Sequence, residues 1–266
     1  MTTRALAMGL RPGFYMNNYI CAESSPRGGV GGEIYMRNMR GSVEFLVEHG
    51  FQYIKIDSGS VYNDLQLWSD LLEATGSPIA IENCHQGGQE PNATWCPFDL
   101  FRTAGDLHSV GLDVELLATA AALNQSRVGC WAYPDTLDAS ALPAMRSQFG
   151  AYAVMSAPLM LSFDILDDGK LLEVWDIITN EEVIQVNQRW AGAAGRLLRK
   201  WSPHAGHERL FAWAQPCGPA EENASGWAYD ADRQQVTWRG RCLSWADGAA
   251  ILDCQQAERP SPGPRP

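Results

Sequence analysis

The chain has 266 residues, 45% of them hydrophobic, and a formal net charge of -11. This length and composition are enough for one large core with a small appended domain. The acidic excess comes with no stripe of Lys and Arg, which argues against nucleic acid or an anionic membrane surface as a partner, and no apolar run is long enough to span a membrane. A neutral substrate is compatible with this charge.

Apolar strand-like runs alternate with helical patterns up to about residue 190, which is typical of βα units around a parallel sheet. Strands are predicted at Gly13–Met16, Phe51–Ile56, Ile79–Glu82, Leu100–Gly105, Val128–Ala132 and Leu159–Phe163. Helices are predicted, from apolar residues at three- and four-residue spacing, at Met39–Glu48, Leu65–Ala74, Val114–Leu123, Leu142–Met155 and Leu171–Asn187. The fold class is therefore α/β, an incomplete (β/α)8 TIM barrel with about six βα units in residues 1–191.

The pattern changes after Gly192 to short alternating pieces separated by turns rich in Gly, Pro and Asp. Strands are predicted there at Arg209–Ala214, Gln235–Trp238 and Ala250–Leu252. Residues 192–259 are therefore predicted to form a small antiparallel β domain. The proline-rich residues 260–266 can form neither a sheet ladder nor a helix, which predicts a disordered tail or linker.

The cysteines and the glycosylation sequons indicate the compartment. Seven cysteines fall at no zinc-ligand spacing, so we expect disulfides, no metal and no cofactor. Three Asn-x-Ser/Thr sequons begin at Asn92, Asn124 and Asn223. Together these features predict a glycoprotein of the secretory pathway, either secreted or lysosomal or vacuolar. The first residues lack the apolar region of a signal peptide, from which we expect that an N-terminal segment is missing.

The strand that ends at Asp57 carries charged residues on the side that faces the barrel interior. Its alternation puts Tyr53, Lys55 and Asp57 on one side, while Ile54 and Ile56 take the other side and can meet helices. Burying a Lys and an Asp costs free energy unless they serve each other or a ligand. Asp57 also lies at the carboxyl end of the strand, where barrel enzymes place their catalytic groups. An ion pair that only closes the barrel is the alternative interpretation.

Five motifs in chain order resemble those of one family. They are Tyr53-Ile-Lys-Ile-Asp57, Arg102-Thr-Ala-Gly-Asp106, Trp131-Ala-Tyr-Pro-Asp135, the segment Phe149–Asp164, and Glu182-Val-Ile-Gln-Val-Asn-Gln188. From about residue 9 to residue 200 the sequence thus resembles glycoside hydrolase family 27, the α-galactosidases and α-N-acetylgalactosaminidases. The resemblance implies a retaining hydrolase that cleaves terminal α-D-galactosyl residues of oligosaccharides or glycoconjugates by double displacement.

The resemblance also implies roles for particular residues. Asp57 corresponds to the nucleophile and Asp106 to the general acid/base, the two carboxyl groups that a retaining glycosidase needs. Lys55 keeps Asp57 anionic and hydrogen-bonds a sugar hydroxyl, Arg102 holds hydroxyls near the reacting carbon, and Asp135 binds a hydroxyl close to the anomeric centre.

Three further side chains are candidates for the sugar pocket. Tyr15 resembles a family tyrosine of the pocket, with a plain core aromatic as the alternative, and Trp131 is a candidate pocket wall. His85 stands where many family members have Glu or Ser. A neutral imidazole there can hydrogen-bond a 2-hydroxyl and crowd an N-acetyl group, which favours galactosides over N-acetylgalactosaminides.

The family pattern further implies a disulfide between Cys84 and Cys96 at the pocket rim. Cys21 departs from that pattern, because its expected partner position is Gly59, and Cys130 is one candidate partner.

Several alternatives remain open from the sequence. The chain is an α-galactosidase, an α-N-acetylgalactosaminidase or β-L-arabinopyranosidase using the same site, or a carbohydrate-binding homologue without turnover. The C-terminal segment Gly226–Cys254 resembles one lobe of a ricin-type β-trefoil, or belongs to an ordinary Trp-rich β domain. The segment Gly9–Met16 resembles the third barrel strand of the family, so we expect the first two βα units to be absent, with poor activity. A homodimer that completes the barrel is the alternative.

Overall fold

A computed structural model describes residues 1–17, 32–57, 64–84, 89–107, 110–201, 210–214, 227–230, 235–238, 241–245 and 249–253. The chain forms two compact units, Met1–Pro216 and Cys217–Pro266. The division falls later than the predicted boundary at 191/192. The first unit includes β6 (Arg196–Trp201) and β7 (Leu210–Ala214), which pair antiparallel with each other.

The first unit is built on a parallel sheet of five strands in sequence order. Its strands are β1 (Gly13–Asn17), β2 (Tyr53–Asp57), β3 (Ala80–Asn83), β4 (Leu100–Arg102) and β5 (Trp131–Tyr133). Its helices are α1 (Thr2–Ala7), α2 (Glu33–Glu48), α3 (Leu65–Glu73), α4 (Val110–Ala122), α5 (Leu142–Val154), α6 (Asp168–Ile178) and α7 (Glu181–Gln188). This confirms the predicted α/β class and the incomplete barrel. Within the described residues, β1 and β5 pair on one side only.

The sixth predicted strand, Leu159–Phe163, is wrong. Leu161 makes only an isolated parallel bridge to Leu137, and Leu137 donates its N–H to the carbonyl of Met160 at 2.8 Å. Pro158 lies directly upstream and lacks an N–H donor, and Leu161 is 41% exposed, so the segment has neither the pairing nor the burial of a central strand.

The helical prediction over Leu171–Asn187 covers two helices rather than one. α6 ends at Ile178 and α7 begins at Glu181, with Asn180 as its N-cap. The Asn180 side chain accepts a hydrogen bond from the N–H of Val183 at 3.1 Å. Asparagine favours capping over helix interiors, because its side chain competes for backbone hydrogen bonds.

The core lies between the sheet and the surrounding helices. α2 shows the amphipathic pattern clearly, since Tyr35, Met39, Val43 and Leu46 recur at spacings of three and four and are all buried. They belong to one hydrophobic cluster with the outward-facing residues of the strands. Among the described helices, none is long and apolar enough to cross a bilayer.

The second unit contains a four-stranded antiparallel sheet in the order β11-β10-β9-β8. Its strands are β8 (Trp227–Asp230), β9 (Gln235–Trp238), β10 (Arg241–Trp245) and β11 (Ala249–Asp253). The predicted pieces Gln235–Trp238 and Ala250–Leu252 coincide with β9 and β11, whereas Arg209–Ala214 coincides with β7 of the first unit. The predicted tail, residues 260–266, lies outside the described residues.

Candidate active site

The strand β2 has the alternation that its sequence predicts. Ile54 and Ile56 are completely buried on the helix side, while Tyr53, Lys55 and Asp57 are half-buried on the opposite face. Asp57 is the last residue of the strand, so its carboxylate lies at the carboxyl end of the sheet.

Asp57 is held by the neighbouring strand β1. The hydroxyl of Tyr15 donates a hydrogen bond to Asp57 Oδ2. Tyr15 lies directly opposite Lys55 in the parallel register, and about half of its side chain is exposed. The structure thus brings the predicted pocket tyrosine to the predicted nucleophile.

Lys55 meets a carboxylate that the sequence analysis did not assign. Its Nζ lies 3.3 Å from Oε1 of Glu82, the residue opposite it on β3. The hydroxyls of Tyr53 and Tyr133 also donate to Glu82, one to each carboxylate oxygen. A single Glu in the otherwise apolar run Ile79–Glu82 was the available signal for this site.

The pKa values in this group follow from burial and from Glu82. Burial and the Glu82 charge raise the pKa of Tyr53 and of Tyr133 far above the ordinary value, so both hydroxyls stay protonated donors. Burial acts to lower the pKa of Lys55, but the attraction of Glu82 and Cys84 outweighs it, and the pKa is raised. Lys55 is therefore a charged ammonium.

Arg102, the last residue of β4, is the centre of a second charged group. Its Nη2 lies 2.8 Å from Asp106 Oδ1, its Nη1 lies 3.6 Å from Asp135 Oδ1, and its Nε donates to the carbonyl of Ala104 at 3.0 Å. Burial acts to lower the pKa of Arg102, but Cys84, Asp106 and Asp135 outweigh it and raise the pKa. The Arg102 side chain is 3% exposed and that of Asp106 82%, so the arginine is fixed while the carboxyl reaches into solvent.

Asp135 is positioned by α5 and by the segment after β4. Its Oδ2 accepts a hydrogen bond from the N–H of Leu107 at 2.6 Å, and its carbonyl accepts one from the Tyr152 hydroxyl at 3.4 Å. The buried Gln148 accepts from the N–H of Asp138 at 2.6 Å. Helix α5 thereby fixes the turn that carries Asp135.

The predicted disulfide between Cys84 and Cys96 is wrong. The structure joins Cys96 to Cys130 and leaves Cys84 as a buried free thiol. Burial is the main cause that raises the pKa of Cys84 to about 11, and the charges of Lys55, Arg102 and Asp57 also act on it.

The strand directions explain the correction. Cys84 follows the carboxyl end of β3, whereas Cys96 and Cys130 precede the amino ends of β4 and β5, at the opposite edge of the sheet. The suggested pairing of Cys21 with Cys130 is wrong, because Cys130 is bonded to Cys96, and Cys21 itself lies outside the described residues.

Of the two remaining predicted pocket residues, only Trp131 can be placed, and it stands apart from these groups. Trp131 opens β5, and its ring packs edge-to-face on Trp190 with centroids 4.9 Å apart. His85 lies outside the described residues. In the part of the chain that the structure describes, no group of three or more His, Cys, Asp or Glu residues is arranged to hold a metal ion.

No family model matches the chain. Among curated proteins, an α-galactosidase of Cyamopsis tetragonoloba is 26% identical over 256 residues, covering 90% of this chain and 57% of the relative. Alpha-galactosidase 2 of Arabidopsis thaliana is 25% identical over 254 residues, covering 90% of this chain and 59% of the relative. The chain thus spans less than two thirds of the length of these relatives.

Solved structures agree in fold. An α-galactosidase of Saccharomyces cerevisiae matches with a TM-score of 0.63 at 15% identity, covering 80% of this chain and 55% of that one. A β-L-arabinopyranosidase of glycoside hydrolase family 27 from Geobacillus stearothermophilus matches with a TM-score of 0.58 at 15% identity, covering 91% of this chain and 63% of that one. The fold is that of the α/β-barrel glycoside hydrolases. The chain is thus similar in sequence to curated α-galactosidases and in fold to a member of glycoside hydrolase family 27.

Proposed function

We propose that this chain is the greater part of a retaining glycoside hydrolase that releases terminal α-D-galactosyl residues by double displacement. The observation that carries the proposal is the pair of carboxyl groups beyond the strand ends. Asp57 ends β2 and is held by Tyr15, and Asp106 follows β4 and is held by Arg102. Curated relatives named α-galactosidase support the same activity.

The two carboxyl groups have separate roles in the proposed reaction. Asp57 attacks the anomeric carbon and forms a glycosyl-enzyme, while Asp106 donates a proton to the leaving-group oxygen. Asp106 then acts as a base on the water that hydrolyses the intermediate. Its exposed side chain suits a group that must meet both the aglycone and water.

The remaining charged and aromatic groups would hold the sugar. Arg102, fixed between Asp106 and Asp135, presents a rigid set of donors to hydroxyls near the reacting carbon. Asp135 accepts from a further hydroxyl. Lys55 and Tyr15 complete the nucleophile side. His85 and Trp131 remain proposed pocket residues.

A second activity is favoured by one comparison. The family 27 β-L-arabinopyranosidase covers 91% of this chain. L-arabinopyranose lacks the hydroxymethyl group of galactose, so the same acid groups could serve both sugars. The family resemblance implies that His85 faces the sugar 2-position, so we expect N-acetylgalactosaminides to be the poorer substrates.

The proposed setting is the secretory pathway, with a galactoside oligosaccharide or glycoconjugate as the substrate. The sequon residues Asn92 and Asn124 are exposed, and a disulfide joins Cys96 to Cys130, which supports an oxidising compartment. A homodimer is proposed as one way to cover the edges of the sheet.

The test compares hydrolysis of chromogenic α-galactoside, β-L-arabinopyranoside and α-N-acetylgalactosaminide. Asp57→Asn should abolish turnover, and a mechanism-based galactosyl inhibitor should label Asp57 by mass spectrometry. Asp106→Asn should lower kcat by about 10²–10⁴-fold, and less for aryl substrates whose leaving group needs no proton. Asp176→Asn, an exposed position on α6, is the matched control. Labelling of a residue other than Asp57 would contradict the assignment.

A further inference from the structure

Glu82 is a buried carboxylate that the proposed chemistry does not use. Its side chain is 3% exposed and lies on the interior face of the sheet, opposite Lys55. A buried carboxylate without partners would cost several kcal/mol, on the order of the loss seen when one partner of a buried ion pair is removed. Here three donors face it, from β2 and β5: the hydroxyls of Tyr53 and Tyr133 and the ammonium of Lys55.

In the hydrogen bonds to Glu82, the two tyrosine hydroxyls are always the donors and the carboxylate is the acceptor. Both phenols keep their protons, because burial and Glu82 raise their pKa values. Each phenol donates to a different oxygen of Glu82, so the two tyrosines hold the plane of the carboxylate. The orientation of the tyrosines thereby sets the place of Lys55.

The two partners of the ion pair, Lys55 and Glu82, differ in exposure. A pair that only stabilised the fold would not need one partner to be more exposed. Lys55 is 27% exposed while Glu82 is 3% exposed. Part of the Lys55 side chain is therefore open to a ligand, whereas Glu82 is closed off. An ammonium has three N–H donors, so Lys55 can contact Glu82 and still donate to a ligand.

We propose that Glu82 is a positioning residue, which fixes the Lys55 ammonium at the wall of the sugar pocket and keeps it charged beside Asp57. Tyr53 and Tyr133 orient Glu82 for this task. The inference rests on the proposed function, in which Lys55 donates to a sugar hydroxyl and supports the nucleophile.

A pH dependence follows from the groups around Lys55. These are Tyr15 on β1, Tyr53 and Asp57 on its own strand, Glu82 and Cys84 at β3, Arg102 on β4 and Tyr133 on β5. Burial and Arg102 act to lower the pKa of Lys55, and Glu82 is the leading group that raises it. Without the Glu82 charge, Lys55 must lose its proton at lower pH. If catalysis needs the ammonium, the alkaline fall of kcat/KM must also move to lower pH.

The first measurement does not depend on activity. The chain contains only three lysines, at 55, 170 and 200, so NMR of the full chain with ¹³C-labelled lysine gives few signals, and Lys55→Arg identifies that of Lys55. In Glu82→Gln the Lys55 signal should titrate at lower pH than in the unaltered protein. Tyr133→Phe is the matched control, because it removes one donor and keeps the charge, so the Lys55 midpoint should not fall.

The second measurement is kinetic. Glu82→Gln should lower kcat/KM by about 10²-fold, as expected for a misplaced active-site group, and should shift the alkaline limb to lower pH. Adding Lys55→Arg to Glu82→Gln should return that limb toward higher pH, because a guanidinium does not lose its proton. If Glu82 only stabilises the fold, Glu82→Gln should lower Tm and leave the alkaline limb of kcat/KM in place.

The outcomes separate the two proposals. An unchanged Lys55 titration in folded Glu82→Gln protein overturns the positioning role, whatever the activity. Absence of glycoside hydrolysis in the unaltered chain counts against the proposed function, and the NMR titration still decides the role of Glu82. Should Glu82→Gln not fold, Glu82→Asp is the second variant, because it keeps the negative charge but moves it one methylene further from the Lys55 ammonium. Lys55 must then also titrate at lower pH, and an unchanged midpoint overturns the proposal.

Discussion

The charged side chains at the strand ends are held by residues of neighbouring strands. Asp57 of β2 is bonded by Tyr15 of β1, and Lys55 is paired with Glu82 of β3. The sequence alone suggests that Lys55 acts on Asp57, because both stand on one side of the same strand. In a parallel sheet, direct cross-strand neighbours lie closer than residues two positions apart along a strand.

At the same scale, the thiol of Cys84 shows how burial changes a pKa. Its pKa is raised from the ordinary 9.0 to about 11, mainly by burial. A raised pKa in the folded state means that the folded protein holds the thiol proton more tightly. The resulting stability is fully present below pH 9.0 and is lost as the pH rises through about 11.

We therefore expect slow alkylation of Cys84 in the folded protein at pH 8 and fast alkylation in denaturant, measured peptide by peptide with mass spectrometry. The side chain is 2% exposed, which adds a steric barrier to the chemical one. Rapid labelling in native buffer, at the rate found in denaturant, would show that the thiol is accessible.

At the scale of elements, the Cys96–Cys130 disulfide encloses β4, Asp106 and α4 in one covalent loop. The two cysteines are 34 residues apart, and cross-linking a loop of this size stabilises a protein by about 4 kcal/mol. Replacing both cysteines by Ala should lower Tm and loosen the segment that carries Asp106.

Cys84→Ala is the control for this prediction. It should retain the cross-linked peptide in a non-reducing digest and most of the thermal stability. A non-reducing digest of the unaltered protein that shows Cys84 linked to Cys96 would instead support the pairing implied by family resemblance.

A second element-scale test concerns the contact of α5 with the segment before β6. A Cβ on Gly195 would lie 2.3 Å from the carbonyl oxygen of Val154, a backbone atom that cannot turn away. Gly195→Ala should therefore destabilise the fold by about 1–3 kcal/mol.

The matched substitution is Gly41→Ala, in α2, where an added Cβ meets nothing within 4 Å. It should stabilise the protein by about 0.5–1 kcal/mol, because alanine loses less conformational freedom in a helix. Thermal unfolding of both variants tests the pair, and equal shifts of Tm would contradict the close approach at Gly195.

At the scale of the whole molecule, the described sheet has two edges. β1 and β5 each pair with one neighbour, whereas β2, β3 and β4 pair on both sides. Strand edges with unpaired N–H and C=O groups are templates for association with further strands. A second copy of the chain is one source of such strands.

Hydrogen exchange of this chain tests the state of those edges. Amides of β1 and β5 should exchange at least about tenfold faster than those of β3, because edge strands open at lower free energy. Protection of β1 that grows with protein concentration would indicate a second copy on the edge. Equal protection in β1 and β3 at every concentration would contradict an open edge.

The sequence by itself determined much of the architecture and one side of the site. Periodicity placed five parallel strands and the helices between them, because apolar spacing alone reports which face of an element is buried. It also placed Asp57 at the end of an interior strand. The motifs through Arg102, Asp106 and Asp135 predicted a group that the structure connects through one arginine.

Only the tertiary structure decided which side chains meet across strands. The partner of Lys55 is Glu82, and the partner of Cys96 is Cys130, although Cys84 is nearer in sequence. Both outcomes depend on strand register and on which end of the sheet a residue occupies. Local sequence does not encode these, because they follow from how separate βα units pack together.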